Sequence, residues 1–312
     1  MIKSSSHRRL RMPLLSICIP NYNRAAFLSK NIDAIGRQAN QDVEVVISDN
    51  ASEDDVERVV NEFRNKYSQV RIIYHRNRTN IGFDRNIIKV VSLATGKYCW
   101  LLSNDDSILP GSIIKILALV RKPNKFAFIL VNYRRFDNLL KRVTARQMIN
   151  LNKDLLFDNV DSFYFKRTQS SYFKILGINV LTMSCDIFNR RFWLQSISRT
   201  KRFIGHNFIH VFTILDLIRQ HPTILFIAQP QVEYVSNNHR TWANFIWRDY
   251  RKVLLGYLAE IGYHPGQLKD LRSNIKQDEF NERLLVLIER TGLYSKLFPY
   301  IRKIRQLLGH KI

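Results

Sequence analysis

Residues 95–110 read TGKYCWLLSNDDSILP. Residues 98–103 have the character of a short apolar strand, and they open directly onto Asn104-Asp105-Asp106. Two adjacent carboxylates at the end of a buried strand repel each other, and desolvating them without a partner is costly. A divalent cation removes that cost, because hard oxygen ligands suit Mg²⁺ or Mn²⁺. The competing reading is an acidic turn ahead of a helix, with Ser107 or Asp106 capping the segment opened by Pro110. The preceding hundred residues decide between the two.

Those residues alternate strand and helix patterns. Residues 14–19 form a strand candidate followed by a turn at Asn21-Tyr22-Asn23, and Leu28, Ile32, Ile35 and Ala39 then recur at helical spacing. Residues 43–48 are almost wholly apolar, as expected of a parallel strand covered on both faces. Ser52 and Asp55 have the spacing of a helix start, and Val56, Val59, Val60, Phe63 and Tyr67 line one helical face. Residues 70–74 predict a third strand. Ile87, Val90, Val91 and Ala94 predict a helix stopped by Gly96. Residues 98–103 are the fourth strand and 126–132 the fifth. Repeated βα units of this kind give a mostly parallel, Rossmann-like α/β sheet flanked by helices.

Ligands bind such sheets beyond the carboxyl ends of the strands. Every polar cluster falls there: Pro20-Asn21-Tyr22-Asn23-Arg24, Ser48-Asp49-Asn50-Ala51-Ser52, the segment from Asn80 to Asn86, and Asn104-Asp105-Asp106. Each alone is ordinary turn chemistry. Four on one edge point to a site.

Composition limits the partners. The 312 residues are 46% hydrophobic and 24% charged, as in a globular protein large enough for a full core. No apolar run is long enough to cross a bilayer, and residues 1–12 are basic without the apolar stretch of a signal peptide. Cys18, Cys99 and Cys185 sit in apolar, strand-like segments, which predicts reduced core thiols in a cytoplasmic protein. The formal charge is +23. Residues 1–118 hold 17 Lys/Arg against 12 Asp/Glu and residues 119–312 hold 32 against 14, so the excess lies in the second part. That excess predicts an anionic partner. No groove-reading motif is present, so nucleic acid is not expected. A Gly-rich phosphate loop, which nucleotidyl transfer would call for, is also missing.

The runs IPNYNR, VVISDNAS, NIGFDRN and LLSNDD, in this order and spacing, resemble the nucleotide-sugar-binding half of family 2 glycosyltransferases with the GT-A fold. The ATGKYCWLLSNDD wording is particularly similar to bacterial O-antigen sugar transferases of the abequosyltransferase type. The likeness covers roughly residues 13–120 and implies a role for each cluster. Pro20 and Asn23 would line the base and ribose pocket, with Asn50 beside them. Asp49 would accept a hydrogen bond from the nucleobase, and Arg85 and Asn86 would reach the ribose or the diphosphate. Asn104-Asp105-Asp106 stands where the family has its D-x-D-type motif. Asn replaces the first carboxylate, and Asp106 would be the main ligand of Mg²⁺ or Mn²⁺, with Asp105 beside it.

The resemblance implies a metal-dependent nucleotide-sugar transferase of the hexosyl type. A metal on the diphosphate would offset the charge that develops as the glycosidic bond breaks, and Arg85 would add to that. If configuration inverts, the acceptor hydroxyl needs a base. Family members usually carry a Glu-Asp pair for this, whereas no two acidic residues are adjacent between 119 and 277. The segment FIGHNFIH at 203–210 is the nearest equivalent by position. His210 is therefore read as base, extra metal ligand or structural histidine at a helix start, and Asp216 as the alternative base or a core pair. His239, after a strand-like run at 231–235, is read as a metal ligand or a loop residue.

The expected organisation is a basic tail at 1–12, a nucleotide-sugar-binding subdomain at 13–120, an acceptor-binding subdomain at 121–240 and a helical, basic C-terminal region at 241–312. Residues 290–312 carry six Lys/Arg and no Asp/Glu, with Ile301, Ile304, Leu307 and Leu308 on one helical face. That face either packs on the core or lies on an anionic membrane. The reading is an enzyme at the inner face of the cell membrane that moves a sugar to a glycan acceptor, lipid-linked, for O-antigen or capsule. The alternative is a basic binding module for membrane or nucleic acid that has lost catalysis.

Overall fold

The computed structural model describes residues 12–122, 126–169, 176–236 and 253–262. In chain order the elements are β1 (Leu15–Asn21), α1 (Ala25–Gly36), β2 (Val43–Asp49), α2 (Val56–Lys66), β3 (Arg71–Arg76), α3 (Phe83–Leu93), β4 (Tyr98–Leu101), β5 (Ser107–Ile108), α4 (Ser112–Val120), β6 (Phe128–Asp137), β7 (Arg142–Ala145), β8 (Leu155–Phe157), α5 (Val160–Tyr164), β9 (Asp186–Asn189), α6 (Arg190–Thr200), α7 (Ile209–Gln220) and β10 (Ile224–Ser236). Short 3₁₀ turns at Leu176–Leu181 and Met183–Cys185 precede β9. Contacts divide the chain after Arg240. Of the second part, residues 253–260 are helical and bury Leu254, Tyr257 and Leu258. His239 and the basic segment 290–312 lie outside the described residues.

The sheet runs β3-β2-β1-β4-β9-β6-β10-β5, with β7 on β6 and β8 on β10. The strands β3, β2, β1 and β4 are mutually parallel, as the periodicity predicts. Every residue of β1 and β2 is buried, which is why both read as unbroken apolar runs. Right-handed crossovers put α1 and α2 on one face, because β1 to β2 to β3 steps one way across the sheet. The step from β3 back to β4 reverses direction and puts α3 on the other face, where it meets α6 and α7. That reversal makes the carboxyl ends of β1 and β4 the switch point at which ligands bind.

Beyond β4 the structure departs from a simple continuation. The strand expected at 126–132 is β6, which runs to Asp137, and it does not lie beside β4. The short antiparallel β9 separates them, paired with β4 through Trp100↔Ile187 and with β6 through Leu130↔Asp186. An antiparallel strand brings its amino end to the edge where its neighbours bring their carboxyl ends.

Two local expectations are corrected. Ser52 does not cap α2, which begins at Val56 after Asp55 without a side-chain cap bond. Its hydroxyl instead donates to Asp49 and accepts from the Asn23 N–H. Gly96 does not stop α3, which ends at Leu93. Glycine is required there because a Cβ would lie 2.5 Å from Ser16 Oγ and 2.9 Å from Ser16 N. That close approach lets the Gly96 N–H donate to Ser16 Oγ at 2.8 Å and to the buried Glu44 carboxylate at 3.1 Å. Glu44 also accepts from Ser16 Oγ and the Thr95 N–H, each at 2.6 Å, so the opposite edge of the sheet is closed by a satisfied polar cluster.

Candidate active site

The acidic turn is a bridge across the carboxyl edge. After β4 the chain passes over β9, β6 and β10 to form β5 on the far side of β10, pairing Ile108 with Val232 and Ser107 with Glu233. Neither Ser107 nor Asp106 caps α4, whose N-cap is Gly111. The acids are held by other groups. Asp106 Oδ2 accepts from Ser184 Oγ at 2.5 Å and Oδ1 from the Val235 N–H at 3.0 Å. The same Ser184 Oγ accepts the Ser103 N–H at 2.9 Å, and the Ser184 carbonyl accepts Trp100 Nε1 at 2.8 Å. Asp105 accepts from the Ser103 hydroxyl, and Asn104 donates to Asn21 Oδ1 at 2.8 Å across the switch point. All three residues of the turn are buried, Asp105 being 8% exposed.

The other predicted donor-side residues gather at the ends of β1, β2 and α3. Asp49 is buried, and it accepts from Ser52 and from Tyr74 Oη at 3.2 Å, with Arg76 Nε 4.0 Å away. Burial and the neighbouring Asp49 charge raise the Tyr74 pKa to about 12, so the phenol remains a donor. Asn50 donates to Asn80 and accepts from Asn77 and the Ile81 N–H, which ties the 77–82 segment to β2. Asn86 is buried and bonded to Ser48 on both its side-chain atoms, so it locks α3 to β2. Arg85, next to it, is exposed. Pro20 lies within β1, and Asn23 adopts a positive φ of 49° with its Oδ1 accepting the Glu53 N–H at 2.8 Å.

Asp84 was given no role by the sequence, yet it joins two distant segments. Its carboxylate accepts the Gly205 N–H at 2.7 Å, the Asn207 N–H at 3.0 Å and the Ile209 N–H at 3.2 Å. These are donors ahead of and at the first residue of α7, where a carboxylate also meets the positive end of the helix dipole. The FIGHNFIH segment is thereby pinned to the first turn of α3, with Gly205 and Asn207 both at positive φ.

His210 sits in the first turn of α7 and is 2% exposed. The Leu181 backbone approaches the ring without hydrogen-bond geometry, and neither ring nitrogen has a partner among the described residues. Burial pushes its pKa down to about 4, so the imidazole is neutral at physiological pH. Asp216 lies six residues on, turned about 120° away around the helix. It is held by Arg199, with Nε at 2.9 and 3.1 Å and Nη2 at 2.5 Å. Asp186, at the start of β9, is also buried. Neither of its oxygens has a partner among the described residues, and burial raises its pKa.

Among the described residues no three His, Cys, Asp or Glu side chains cluster as a metal site. The donor set still suits a hard cation. Mg²⁺ commonly takes one or two carboxylates and completes its shell with phosphate oxygens and water. A carboxylate has about four lone-pair sites, so the bonds that orient Asp106 do not exhaust it.

The model for glycosyl transferase family 2 matches residues 16–195, from β1 through β9 into α6. The chain belongs to that family. Its relatives include the abequosyltransferase RfbV of Salmonella typhimurium, 31% identical over 70% of this chain and 66% of that protein, just under two thirds of its length. The GalNAc(5)-diNAcBac-PP-undecaprenol beta-1,3-glucosyltransferase of Campylobacter jejuni is 23% identical over 95% of this chain and 99% of its own. Among solved structures, S. aureus TarS in complex with UDP superposes with a TM-score of 0.61 at 13% identity, covering 90% of this chain and 74% of that one. The mannosyltransferase PcManGT of Pyrobaculum calidifontis, solved with GDP-Man and Mn²⁺, gives 0.52 at 15% identity over 85% and 70%. The fold of this family 2 glycosyltransferase is therefore of the GT-A type, an α/β sheet flanked by helices.

Two residues of the site escaped the sequence reading. Ser184 is one serine among many and carries no local signal. Asp84 lies inside the NIGFDRN run, but its partners are backbone N–H groups, which carry no sequence signal.

Proposed function

We propose that the chain transfers a sugar from a nucleoside-diphosphate donor to a glycan acceptor carried on a lipid, in the assembly of a bacterial surface polysaccharide such as O-antigen. The observation that carries this reading is the pair Asp105 and Asp106, held in a buried turn at the switch point, where a parallel sheet binds its ligand. The names of the Salmonella and Campylobacter relatives support a cell-surface glycan product, and the second supports an undecaprenyl-diphosphate-linked acceptor. Residues 13–120 then form the donor half and 121–240 the acceptor half.

Asp105 and Asp106 would hold Mg²⁺ or Mn²⁺, which supplies neutralisation of the charge on the departing diphosphate. Arg85, exposed in the first turn of α3, would add to that neutralisation. His210, neutral at pH 7, is the base that takes the proton of the acceptor hydroxyl, and the Asp84 clamp holds its segment in place. The anionic inner-membrane face is where such an acceptor is met. No helix among the described residues is long and apolar enough to cross a membrane.

The test is incubation with a panel of nucleotide sugars and Mn²⁺ or Mg²⁺, with calorimetry of nucleotide binding beside it. Transfer or hydrolysis of one donor, dependent on metal and abolished by Asp106→Ala, is expected. Unchanged, metal-dependent nucleotide binding by Asp106→Ala would overturn the assignment of the turn.

A further inference from the structure

The hairpin joining β6 to β7 ends in Asp137-Asn138-Leu139-Leu140-Lys141-Arg142. Leu139 is 66% and Leu140 55% exposed. Exposed apolar side chains scattered singly need no explanation. These do not stand singly: Leu139 and Leu140 are adjacent at the tip, and Val143, on β7 just after it, is also exposed.

The tip is built to present its leucines. Both the Leu139 and the Leu140 N–H donate to Asp137 Oδ1 at 3.0 Å, and the Asn138 N–H donates to the Ser236 carbonyl at 3.0 Å. Lys141 adopts a positive φ of 51° and returns its ammonium to Asn138 Oδ1 at 3.0 Å. These backbone donors are satisfied inside the turn, so the tip can leave water without the penalty of unpaired N–H groups. Lys141 and Arg142 are exposed beside it and Arg146 is exposed just past the far end of β7, while Arg134 is paired with Glu233 at 2.6 Å. Two aliphatic side chains followed directly by the exposed cations Lys141 and Arg142, on a protein of net charge +23, match one surface, a bilayer with anionic headgroups.

Its position relates it to the site. Asp106 is bonded to the Val235 N–H, and Val235 pairs with Phe136 in β6. β6 ends one residue later, at Asp137, and the leucines follow in the turn beyond its carboxyl end. The apolar tip therefore projects from the same edge of the sheet as the acidic turn.

We propose that Leu139 and Leu140 insert into the headgroup region of an anionic membrane and dock the active-site edge on it. The proposal extends the lipid-linked acceptor reading, but membrane contact by this hairpin is measurable without any sugar transfer. Cys18, Cys99 and Cys185 are all buried, so Leu139→Cys in the full chain offers one accessible thiol for an environment-sensitive fluorophore. With phosphatidylglycerol vesicles the probe should shift to the blue and be quenched by quenchers placed in the acyl chains. With phosphatidylcholine vesicles, or in high salt, the shift should be small. The double variant Leu139→Ser/Leu140→Ser should sediment with the anionic vesicles roughly tenfold more weakly than the parent. Leu156→Ser, at an exposed leucine on β8, should match the parent. A probe that stays in water while the chain sediments with vesicles, or equal binding by the double variant, would overturn the proposal, as would absence of vesicle binding. Vesicle insertion without donor turnover would leave the hairpin assignment standing and remove the transferase reading instead.

Discussion

Ser184 donates its hydroxyl hydrogen to Asp106 Oδ2 at 2.5 Å while the same oxygen accepts the Ser103 N–H at 2.9 Å. One side chain thus ties the carboxylate of the acidic turn to the end of β4. Second partners of this kind orient a metal-binding carboxylate, and losing one typically lowers metal affinity or activity by about 10–100-fold. Ser184→Ala should therefore raise the Mn²⁺ concentration needed for half-maximal activity by roughly that factor, with the fold kept. A metal titration that superposes on the parent would show that Ser184 does not position Asp106.

The base assignment separates by kinetics. His210→Ala should lower turnover by roughly 10²–10⁴-fold while nucleotide binding measured by calorimetry is unchanged. A parallel loss of donor affinity would make His210 a donor-site or metal-site residue. Turnover equal to the parent would exclude it as the base, and the Arg199-bound Asp216 would be the next residue to replace.

Asp84 accepts three backbone N–H groups from 205–209, and Asp84→Ala leaves those donors near α7 without their carboxylate. Bonds to a charged acceptor contribute about 1.5–3 kcal/mol each and are not additive. Destabilisation of about 2–4 kcal/mol in chemical unfolding is expected. In protein that remains folded, kcat should fall more than donor affinity, because the clamp holds the His210 segment and not the nucleotide. The reverse split would place Asp84 in the donor site.

Two buried groups give opposite pH dependence. His210 has its pKa lowered from 6.5 to about 4, so between those values the unfolded chain binds more protons than the folded one. Its contribution is present above about pH 6.5 and is lost as pH falls toward 4, by about 3 kcal/mol in all. Asp186 has its pKa raised, so its contribution is present below the ordinary carboxylate pKa and is lost as pH rises through the folded value. His210→Phe should flatten the acid side of the stability profile. Asp186→Asn should stabilise the protein more at pH 8 than at pH 5. Denaturant unfolding across this range measures both, and a pH-independent effect of Asp186→Asn would mean that its carboxyl has a partner.

Much of the part from β1 to β4 was legible in the residues themselves. Parallel strands covered on both faces must be nearly all apolar, so residues 43–48 announced β2, and helical periodicity placed α1, α2 and α3 between the strands. Once the βα alternation was read, the switch-point rule put every polar cluster on one edge, and Asn104-Asp105-Asp106 among them. The paired charge of Asp105 and Asp106 could be interpreted locally because like charges at a strand end need a partner wherever the rest of the chain lies.

Only the tertiary structure decided what holds those groups. Strand direction in a sheet depends on pairing with distant strands, and the few apolar residues of β9 carry no mark of being antiparallel. Yet that direction brings Ser184 to Asp106 across 78 positions. The Asp84 contact to 205–209 spans 121 to 125 positions and uses backbone N–H groups, which every non-proline residue has and no pattern reveals. Burial of His210 and Asp186 is likewise a property of what packs around them. A sequence names the groups able to do chemistry. Their protonation and orientation follow from neighbours brought from far along the chain.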